Sequence, residues 1–253
     1  MIVTFLGTGT SQGVPVIACN CRVCTSNDHR DKRLRSSILI KTADKTIVVD
    51  TGPDFRYQML RANVQHLDAI VFTHEHKDHI AGLDDIRAFN YKQKKPIDVY
   101  ANTRVENALK REFYYIFEEP HYPGVPQINI HHIEIESFNI GKTQFTPIEV
   151  MHYKLPVLGF RVNDFTYITD AKTVSDTEKE KIKGSKILVI NALQKKSHIS
   201  HFTFEEAILF ANEIGAEKTY FTHISHNLGL HEEISAELPP NIELAYDGLE
   251  LTI

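Results

Sequence analysis

A run of metal-binding side chains follows one of the apolar segments of the chain. After the residues AIVF comes the sequence THEHKDH, which contains His74, His76, Asp78 and His79. His74 and His76 are two positions apart, so on an extended segment their side chains project to the same side. Imidazole and carboxylate donors together suit Zn, Mn or Fe better than Ca or Mg. The run therefore predicts a site for one of these metals, at a turn into a helix.

Other apolar segments also end on residue types that bind metal. The ends are Asp50 in KTIVVD, His152 in FTPIEVMH, Asp170 in FTYITD and His223 in KTYFTH. A single polar residue at the end of a strand commonly does no more than meet solvent, but several ends that are all His or Asp exceed that expectation. If the sheets bring these ends to one edge, the side chains converge on a cleft of the kind in which α/β sheets bind ligands.

The cysteines form a second candidate metal site. The chain has 3 Cys, and all of them fall at Cys19, Cys21 and Cys24. An odd number of cysteines in a reducing compartment cannot build a disulfide framework. Thiolates are preferred ligands of structural zinc, which takes four ligands. The cluster thus predicts zinc with a fourth ligand from elsewhere, for which we expect a His, and three free thiols on a loop are the alternative.

An α/β framework must position these side chains. Runs rich in β-branched and aromatic residues predict strands over 2–7, 36–42, 45–50, 68–74, 97–102, 144–152, 158–163, 165–170, 186–192, 218–223 and 242–248. Helical patterns fall between them, over 55–62, 79–89, 103–117, 173–182 and 203–214. The last opens with the capping pair Thr203 and Glu206. Strands that alternate with helices indicate an α/β protein whose sheets are covered by helices.

Length and charge exclude several classes of protein. The 253 residues are enough for one large domain, or for two small ones at most. The formal net charge of -5 argues against a dedicated nucleic-acid binder. No apolar run approaches the roughly 20 residues that cross a membrane, and the first residues lack a secretory signal pattern. We therefore expect a cytoplasmic protein with neither a nucleic-acid nor a membrane partner.

The motif THEHKDH resembles the metal signature of the metallo-β-lactamase-fold hydrolases. VVDTGPD, the lone His152, YITDA and FTHISH are similar to that superfamily in order, from about Phe5 to His226. The resemblance implies an α/β fold, a four-layer αββα sandwich, with a single domain over 1–253 and two divalent metals, Mn or Zn. It implies that one ion is held by His74, His76 and His152, the other by Asp78, His79 and His223, and that Asp170 bridges them, with Asp50 nearby.

The opening FLGTGTSQGVPVIACNCRVC, followed by RLRSSILI, is similar to the PhnP-like subfamily, cyclic phosphodiesterases of the carbon–phosphorus lyase pathway. That subfamily carries a structural zinc on a C-x-C-x-x-C loop, completed by a His three residues after the last active-site His. The resemblance therefore implies a zinc site on loop 19–24, with Cys19, Cys21, Cys24 and His226 as ligands. Members are often dimeric, so the resemblance allows a homodimer.

The PhnP-like resemblance implies a phosphodiesterase that hydrolyses a small cyclic phosphodiester similar to phosphoribosyl 1,2-cyclic phosphate, by attack of a metal-bound hydroxide. Two divalent ions, less two carboxylates and one hydroxide, leave a positive charge that favours an anionic substrate. Asp78 and His201 are the residues that we assign to catalysis. His201 matches a subfamily His near the leaving group and would be the general acid, with His198 as the alternative donor and a surface histidine as the alternative role.

Other functions and residues remain open. An RNA 3′-processing nuclease of the same fold is disfavoured by the net charge, and a lactone or thioester hydrolase leaves the cysteine loop unexplained. A metal-binding or scaffold protein, like superfamily members that have lost ligands, is disfavoured because all seven ligand positions are present. Arg33 and Arg35 could reach a substrate phosphate, but we interpret them as a solvated face. His121, His131 and His132 are predicted to lie on the surface, and Ser36 is assigned no role.

Overall fold

The computed structural model describes residues 1–119 and 124–253. The strands in these ranges are β1 (Ile2–Gly7), β2 (Ser37–Lys41), β3 (Thr46–Val49), β4 (Ala69–Val71), β5 (Ile97–Ala101), β6 (Ile128–His132), β7 (Phe138–Ile140), β8 (Thr143–His152), β9 (Leu155–Val162), β10 (Phe165–Tyr167), β11 (Thr173–Val174), β12 (Ile187–Asn191), β13 (Lys218–Thr222), β14 (Ile242–Leu244) and β15 (Glu250–Thr252). The α-helices are α1 (Phe55–Arg61), α2 (Lys77–Ile80), α3 (Arg87–Gln93), α4 (Thr103–Glu112), α5 (Asp176–Ile182), α6 (Phe204–Ile214) and α7 (His231–Ser235). None of these helices is both long enough and apolar enough to cross a membrane.

The strands form two mixed sheets. Within the described ranges the first sheet has the order β15-β1-β2-β3-β4-β5-β6, and β3 to β6 run parallel. The second has the order β11-β8-β9-β10-β12-β13-β14, with β7 paired to β8, and β10, β12, β13 and β14 run parallel. Parallel neighbours need crossover connections, and the helices of each half supply them.

Three groups of apolar side chains hold the layers together. Between the sheets, Phe5 and Ile38 of the first pack with Phe160 of the second. The outer face of the first sheet packs against residues such as Leu109 of α4. The outer face of the second packs against residues such as Phe210 of α6. The order helix, sheet, sheet, helix confirms the predicted α/β fold class and the four-layer αββα sandwich.

Each predicted strand overlaps an observed one, but some predicted helices were wrong in part. The helix predicted over 79–89 is broken into α2 and α3 by a 3-10 turn at Leu83–Ile86. Gly82 lies against the backbone of Gly52, where a Cβ on Gly82 would come within 2.2 Å of the Gly52 carbonyl oxygen. The helix predicted over 173–182 begins only at Asp176, because Thr173–Val174 form the edge strand β11 of the second sheet. The segment 128–132, where no strand was predicted, is the edge strand β6 of the first sheet.

We expect the inter-sheet core to make residues 1–253 unfold as one domain. Phe160 is 1% exposed and lies 6.2 Å from the ring centre of Phe145. Phe160→Ala would leave a cavity that both sheets line, so it should lower the free energy of unfolding by about 3–5 kcal/mol. The measurement is urea unfolding of the metal-loaded protein, followed in parallel by far-UV circular dichroism and tyrosine fluorescence.

Leu209→Ala is the matched control, because Leu209 is 69% exposed, and its effect should stay within about 0.5 kcal/mol. Two separate transitions, of which Phe160→Ala moves only one, would contradict the single-domain prediction.

Candidate metal centre

The predicted ligands lie together in one cluster, although both sheets contribute to it. His74, His76 and His79 follow β4 of the first sheet, whereas Asp170 follows β10 and His223 follows β13 of the second. His152 ends β8. The ring centres of His74 and His76 are 4.6 Å apart, and those of His76 and His152 are 5.2 Å apart. The edge at which these strands end is therefore the site.

Asp170 lies between the imidazoles of the two halves. Its Oδ2 is 3.3 Å from Nε2 of His79, and its Oδ1 is 3.3 Å from Nε2 of His223. On the far side of His79, Oδ2 of Asp78 is 3.2 Å from the same Nε2. An oxygen of Asp170 also lies within 4.8 Å of donor atoms of His74 and His152, so this carboxylate is close to the ligands predicted for both ions.

The backbone is held in an uncommon conformation at three positions of the site. Asp50, Asp170 and His223 have φ values of 64°, 58° and 54°, in the left-handed region that non-glycine residues rarely adopt. Such a residue costs about 1–3 kcal/mol and persists only where its surroundings enforce it. Next to Asp170, the Asn191 side chain enforces it by accepting from the Ala171 N–H at 2.7 Å and donating to the Ala171 carbonyl at 2.9 Å.

Neighbouring oxygens determine which ring nitrogen each histidine turns toward the cluster. His152 Nδ1 donates to the Ser200 carbonyl at 2.9 Å. Thr73 Oγ1 donates to Asp50 and lies 2.9 Å from Nδ1 of His74, from which it accepts. Ser36 Oγ donates to the Gly9 carbonyl and accepts in the same way from Nδ1 of His223 at 3.2 Å.

His152, His74 and His223 therefore each keep Nε2 for binding a metal. Such partners commonly orient metal-binding histidines. Sequence reasoning missed Ser36, Thr73 and Asn191, because nothing in their local pattern distinguishes them from ordinary turn residues.

Asp50 holds the ring of His79 by a hydrogen bond at Nδ1. Its Oδ2 accepts from Nδ1 of His79 at 2.7 Å, and its Oδ1 accepts from the Thr73 N–H at 2.8 Å. Burial lowers the pKa of His79, but the carboxylates of Asp78, Asp50 and Asp170 outweigh it and raise that pKa well above the ordinary value. The negative charge of these three carboxylates thus favours a positive charge at His79.

The donor set fits divalent metal ions. His74, His79, Asp170 and His223 are each at most 2% exposed, and Nε2 of His79 is buried without a hydrogen-bond partner. Buried carboxylates and imidazoles of this kind normally coordinate metals or pair with charges. Mixed imidazole and carboxylate donors suit Zn or Mn.

His201 lies inside the same cluster. Its ring centre is 4.5 Å from that of His152 and 4.9 Å from that of His223, and its Nδ1 is 3.8 Å from Oδ1 of Asp170. Burial, which outweighs the nearby Asp170, lowers the pKa of His201 to about 3. His198 is farther out, 5.1 Å from the His201 ring, and accepts from the Ser200 N–H at 3.4 Å.

The cysteine loop and His226 form a second, separate donor set. Nδ1 of His226 is 3.3 Å from Sγ of Cys19 and 3.4 Å from Sγ of both Cys21 and Cys24. Four ligands at the Zn–S and Zn–N lengths of a tetrahedral site would be about 3.5 Å apart. The spacing therefore suits one tetrahedrally bound ion, with His226 as the fourth ligand.

The surface interpretation of Arg33 was wrong. Arg33 is 3% exposed, and its guanidinium donates to Thr8 Oγ1 at 2.8 Å and to the Ala245 carbonyl at 2.6 Å. These buried acceptors explain why a charged side chain can leave the solvent here. Arg35 is partly buried and pairs with Asp54, 3.1 Å away.

Two other histidines in the described ranges stand apart from the cluster. His131 and His132 are exposed as predicted, although they lie in β6 rather than in a loop, and His131 pairs with Asp98 at 3.1 Å. The prediction for His121 falls outside the described residues.

Comparison with known proteins identifies the family. A family described as a β-lactamase superfamily domain matches residues 45–224, which carry most of the cluster described above. The chain belongs to that superfamily. The resemblance to the metallo-β-lactamase-fold hydrolases is thereby confirmed.

The individual proteins to which this chain is similar are named for different activities. The crystal structure of a new diphosphatase from the PhnP family is 40% identical, covers 100% of this chain and 97% of its own, and gives a TM-score of 0.94. An octanoyltransferase of Porphyromonas gingivalis is 41% identical over 98% of this chain but only 51% of its own length. The chain thus spans about half of that relative. The exodeoxyribonuclease YycJ of Bacillus anthracis is 25% identical over 75% of this chain and 76% of its own.

We expect loss of one thiolate to destabilise this superfamily protein. Cys21→Ser removes a donor from the Cys19, Cys21, Cys24 and His226 set, and metal binding free energy at such a site contributes directly to folding. Thermal unfolding should begin at a lower temperature in Cys21→Ser, and the metal content should fall by about one ion per chain.

Asn27→Ala, at an exposed position of the same loop region and outside the donor set, is the control. An unchanged melting temperature and metal content in Cys21→Ser would contradict the assignment.

Proposed function

We propose that the chain is a metal-dependent phosphodiesterase acting on a small cyclic phosphodiester. The observation that carries this proposal is the position of Asp170 between the two sets of ligands. Its oxygens lie 3.3 Å from Nε2 of His79 and of His223, and within 4.8 Å of donor atoms of His74 and His152. Two of the relatives, the diphosphatase and the exodeoxyribonuclease, are named for cleavage of phosphorus–oxygen bonds. The ligands would be His74, His76 and His152 for one ion, Asp78, His79 and His223 for the other, and Asp170 for both.

The charges of the site favour an anionic substrate. Two divalent cations would contact the carboxylates of Asp78 and Asp170. Asp50 instead accepts hydrogen bonds from His79 and Thr73 and would not contact an ion. The loaded centre would keep a positive charge, which suits a phosphodiester better than a neutral lactone or thioester. Bound divalent metals would supply Lewis acidity and a water of lowered pKa.

The protein would contribute the proton for the departing alcohol. His201 is 7% exposed and stands beside His152 and His223, within the cluster rather than on the surface. A phosphodiester anion bound there would favour the protonated imidazole, since a nearby negative charge stabilises that form. His201 would then donate to the leaving oxygen, and His198 would be the alternative donor.

The third metal site would be structural. Zinc at Cys19, Cys21, Cys24 and His226 would tie loop 19–24 to the segment after β13. His223 and His226 share that segment, so the zinc would also fix the position of His223, a ligand of the active-site metals.

A substrate panel tests the proposed function. The metal-loaded protein, supplied with Mn²⁺ or Zn²⁺, should hydrolyse bis-p-nitrophenyl phosphate and 2′,3′-cyclic nucleotides. It should act weakly or not at all on a lactone, an acyl thioester and a precursor tRNA. Faster turnover of the thioester or of the tRNA than of the phosphodiesters would refute the proposal in favour of one of these alternatives.

The His201 proposal predicts an effect that depends on the leaving group. His201→Ala should keep both active-site metals but slow hydrolysis of a 2′,3′-cyclic nucleotide about 10²- to 10⁴-fold, the range expected for one general acid. The loss should be smaller for bis-p-nitrophenyl phosphate, because p-nitrophenolate departs without a proton. The measurements are kcat for both substrates and metal content by mass spectrometry.

His198→Ala serves as the comparison, since it tests the alternative donor in the same assay. Equal slowing of both substrates by His201→Ala, or loss of metal from that variant, would show that His201 is not the acid.

A further inference from the structure

A cleft of about 440 Å³ opens beside two of the metal-site histidines, His76 and His152. Its other walls are the tip of the β8–β9 hairpin, the start of α4 at Arg104, and Ile199 with Ser200. A substrate whose phosphorus lay at the metal centre would project one of its ester groups into this cleft. The cleft therefore has the position of a specificity subsite.

The hairpin tip is built in an unusual way. His152 pairs with Leu155, so Tyr153 and Lys154 form a two-residue turn. Tyr153 has a φ of 58°, and the first position of such a turn favours Gly, Asn or Asp. A bulky aromatic residue at positive φ is an outlier, and such strain concentrates at functional sites. Tyr153 is 51% exposed, so burial in the core does not account for the ring.

The cleft carries two cations and an apolar wall. The Lys154 ammonium lies 5.3 Å from the centre of the Tyr153 ring, and among the residues that the structure describes it has no carboxylate partner. Glu75 holds the guanidinium of Arg104 at 2.8 and 3.1 Å. Ile199, which also lines the cleft, is 65% exposed. An exposed ring and an exposed aliphatic side chain suit a planar group, and the cations suit a phosphate.

We propose that this cleft binds a nucleoside phosphate, with the base against Tyr153 and Ile199 and a second phosphate near Lys154 and Arg104. The proposal rests on the proposed function, because it takes the neighbouring metal centre as the place of the scissile phosphate. Tyr153, Lys154 and Arg104 are then specificity residues, and the preferred substrates are phosphodiesters of nucleotides rather than of simple alcohols.

Three p-nitrophenyl phosphodiesters that differ only in the second alcohol test this proposal. The alcohols are methanol, thymidine through its 5′ oxygen, and thymidine 3′-phosphate through its 5′ oxygen. Because all three release p-nitrophenolate, differences in kcat/KM report the second group. The parent should prefer the thymidine ester to the methyl ester, and the 3′-phosphorylated ester to the thymidine ester.

The variants separate the ring from the charge. Tyr153→Gly fits the turn without strain and removes the ring, so the preference for thymidine over methyl should fall about tenfold, whereas Tyr153→Phe should retain it. Lys154→Gln should lower the preference for the 3′-phosphorylated ester over the thymidine ester about tenfold. The control is Arg111→Gln, on the same helix as Arg104 and 68% exposed at its side chain.

Binding of thymidine 3′,5′-bisphosphate to the metal-loaded protein, measured by calorimetry, provides a second readout. Lys154→Gln should weaken this binding about tenfold. Equal kcat/KM for the three esters, or unchanged preferences and affinity in Tyr153→Gly and Lys154→Gln, would overturn the subsite. If the parent hydrolyses neither these esters nor a 2′,3′-cyclic nucleotide, the proposed function fails, and the calorimetric comparison alone then decides whether the cleft binds a nucleoside phosphate.

Discussion

Burying a carboxylate costs several kcal/mol unless a positive charge and hydrogen bonds compensate for it. In this protein Asp50 and Asp170 are buried beside Asp78, and all three surround the ring of His79. Burial alone would raise the pKa of Asp170, but His223 and His79 outweigh it and hold that pKa well below the ordinary value. Negative charge is therefore concentrated where the two sheets meet, and the surrounding structure is arranged to keep a cation there.

The scaffold places this charge by ending strands of both sheets at one edge. The first sheet delivers His74, His76 and His79, and the second delivers Asp170 and His223. The three residues in the left-handed region, Asp50, Asp170 and His223, all lie just after strands at this edge. Partners such as Ser36 and Thr73 then select the ring nitrogen that remains for a metal. The strand ends thus place the ligands, and the hydrogen bonds behind them orient the imidazole rings.

Much of this arrangement could be predicted from the sequence, because metal ligands are chemically distinctive and their spacing is short. THEHKDH and the cysteine loop are visible as local patterns, and the strand ends could be aligned with them. The supporting residues could not be predicted. Ser36 lies far along the chain from His223, and only the packing of the two sheets brings Ser36 Oγ to 3.2 Å from Nδ1 of His223. Arg33 was misread for the same reason, since its acceptors at Thr8 and Ala245 come from distant segments.

The central claim is that one buried carboxylate, Asp170, holds two metal ions, and metal content tests it most directly. Mass spectrometry of the purified parent, loaded with Mn²⁺ or Zn²⁺ and dialysed, should find two ions at the His and Asp cluster and one at the cysteine loop. Asp170→Ala should keep only the ion at the cysteine loop, whereas Asp176→Ala, whose side chain is 96% exposed, should keep the full complement. An Asp170→Ala protein that retains both ions of the cluster would contradict the account.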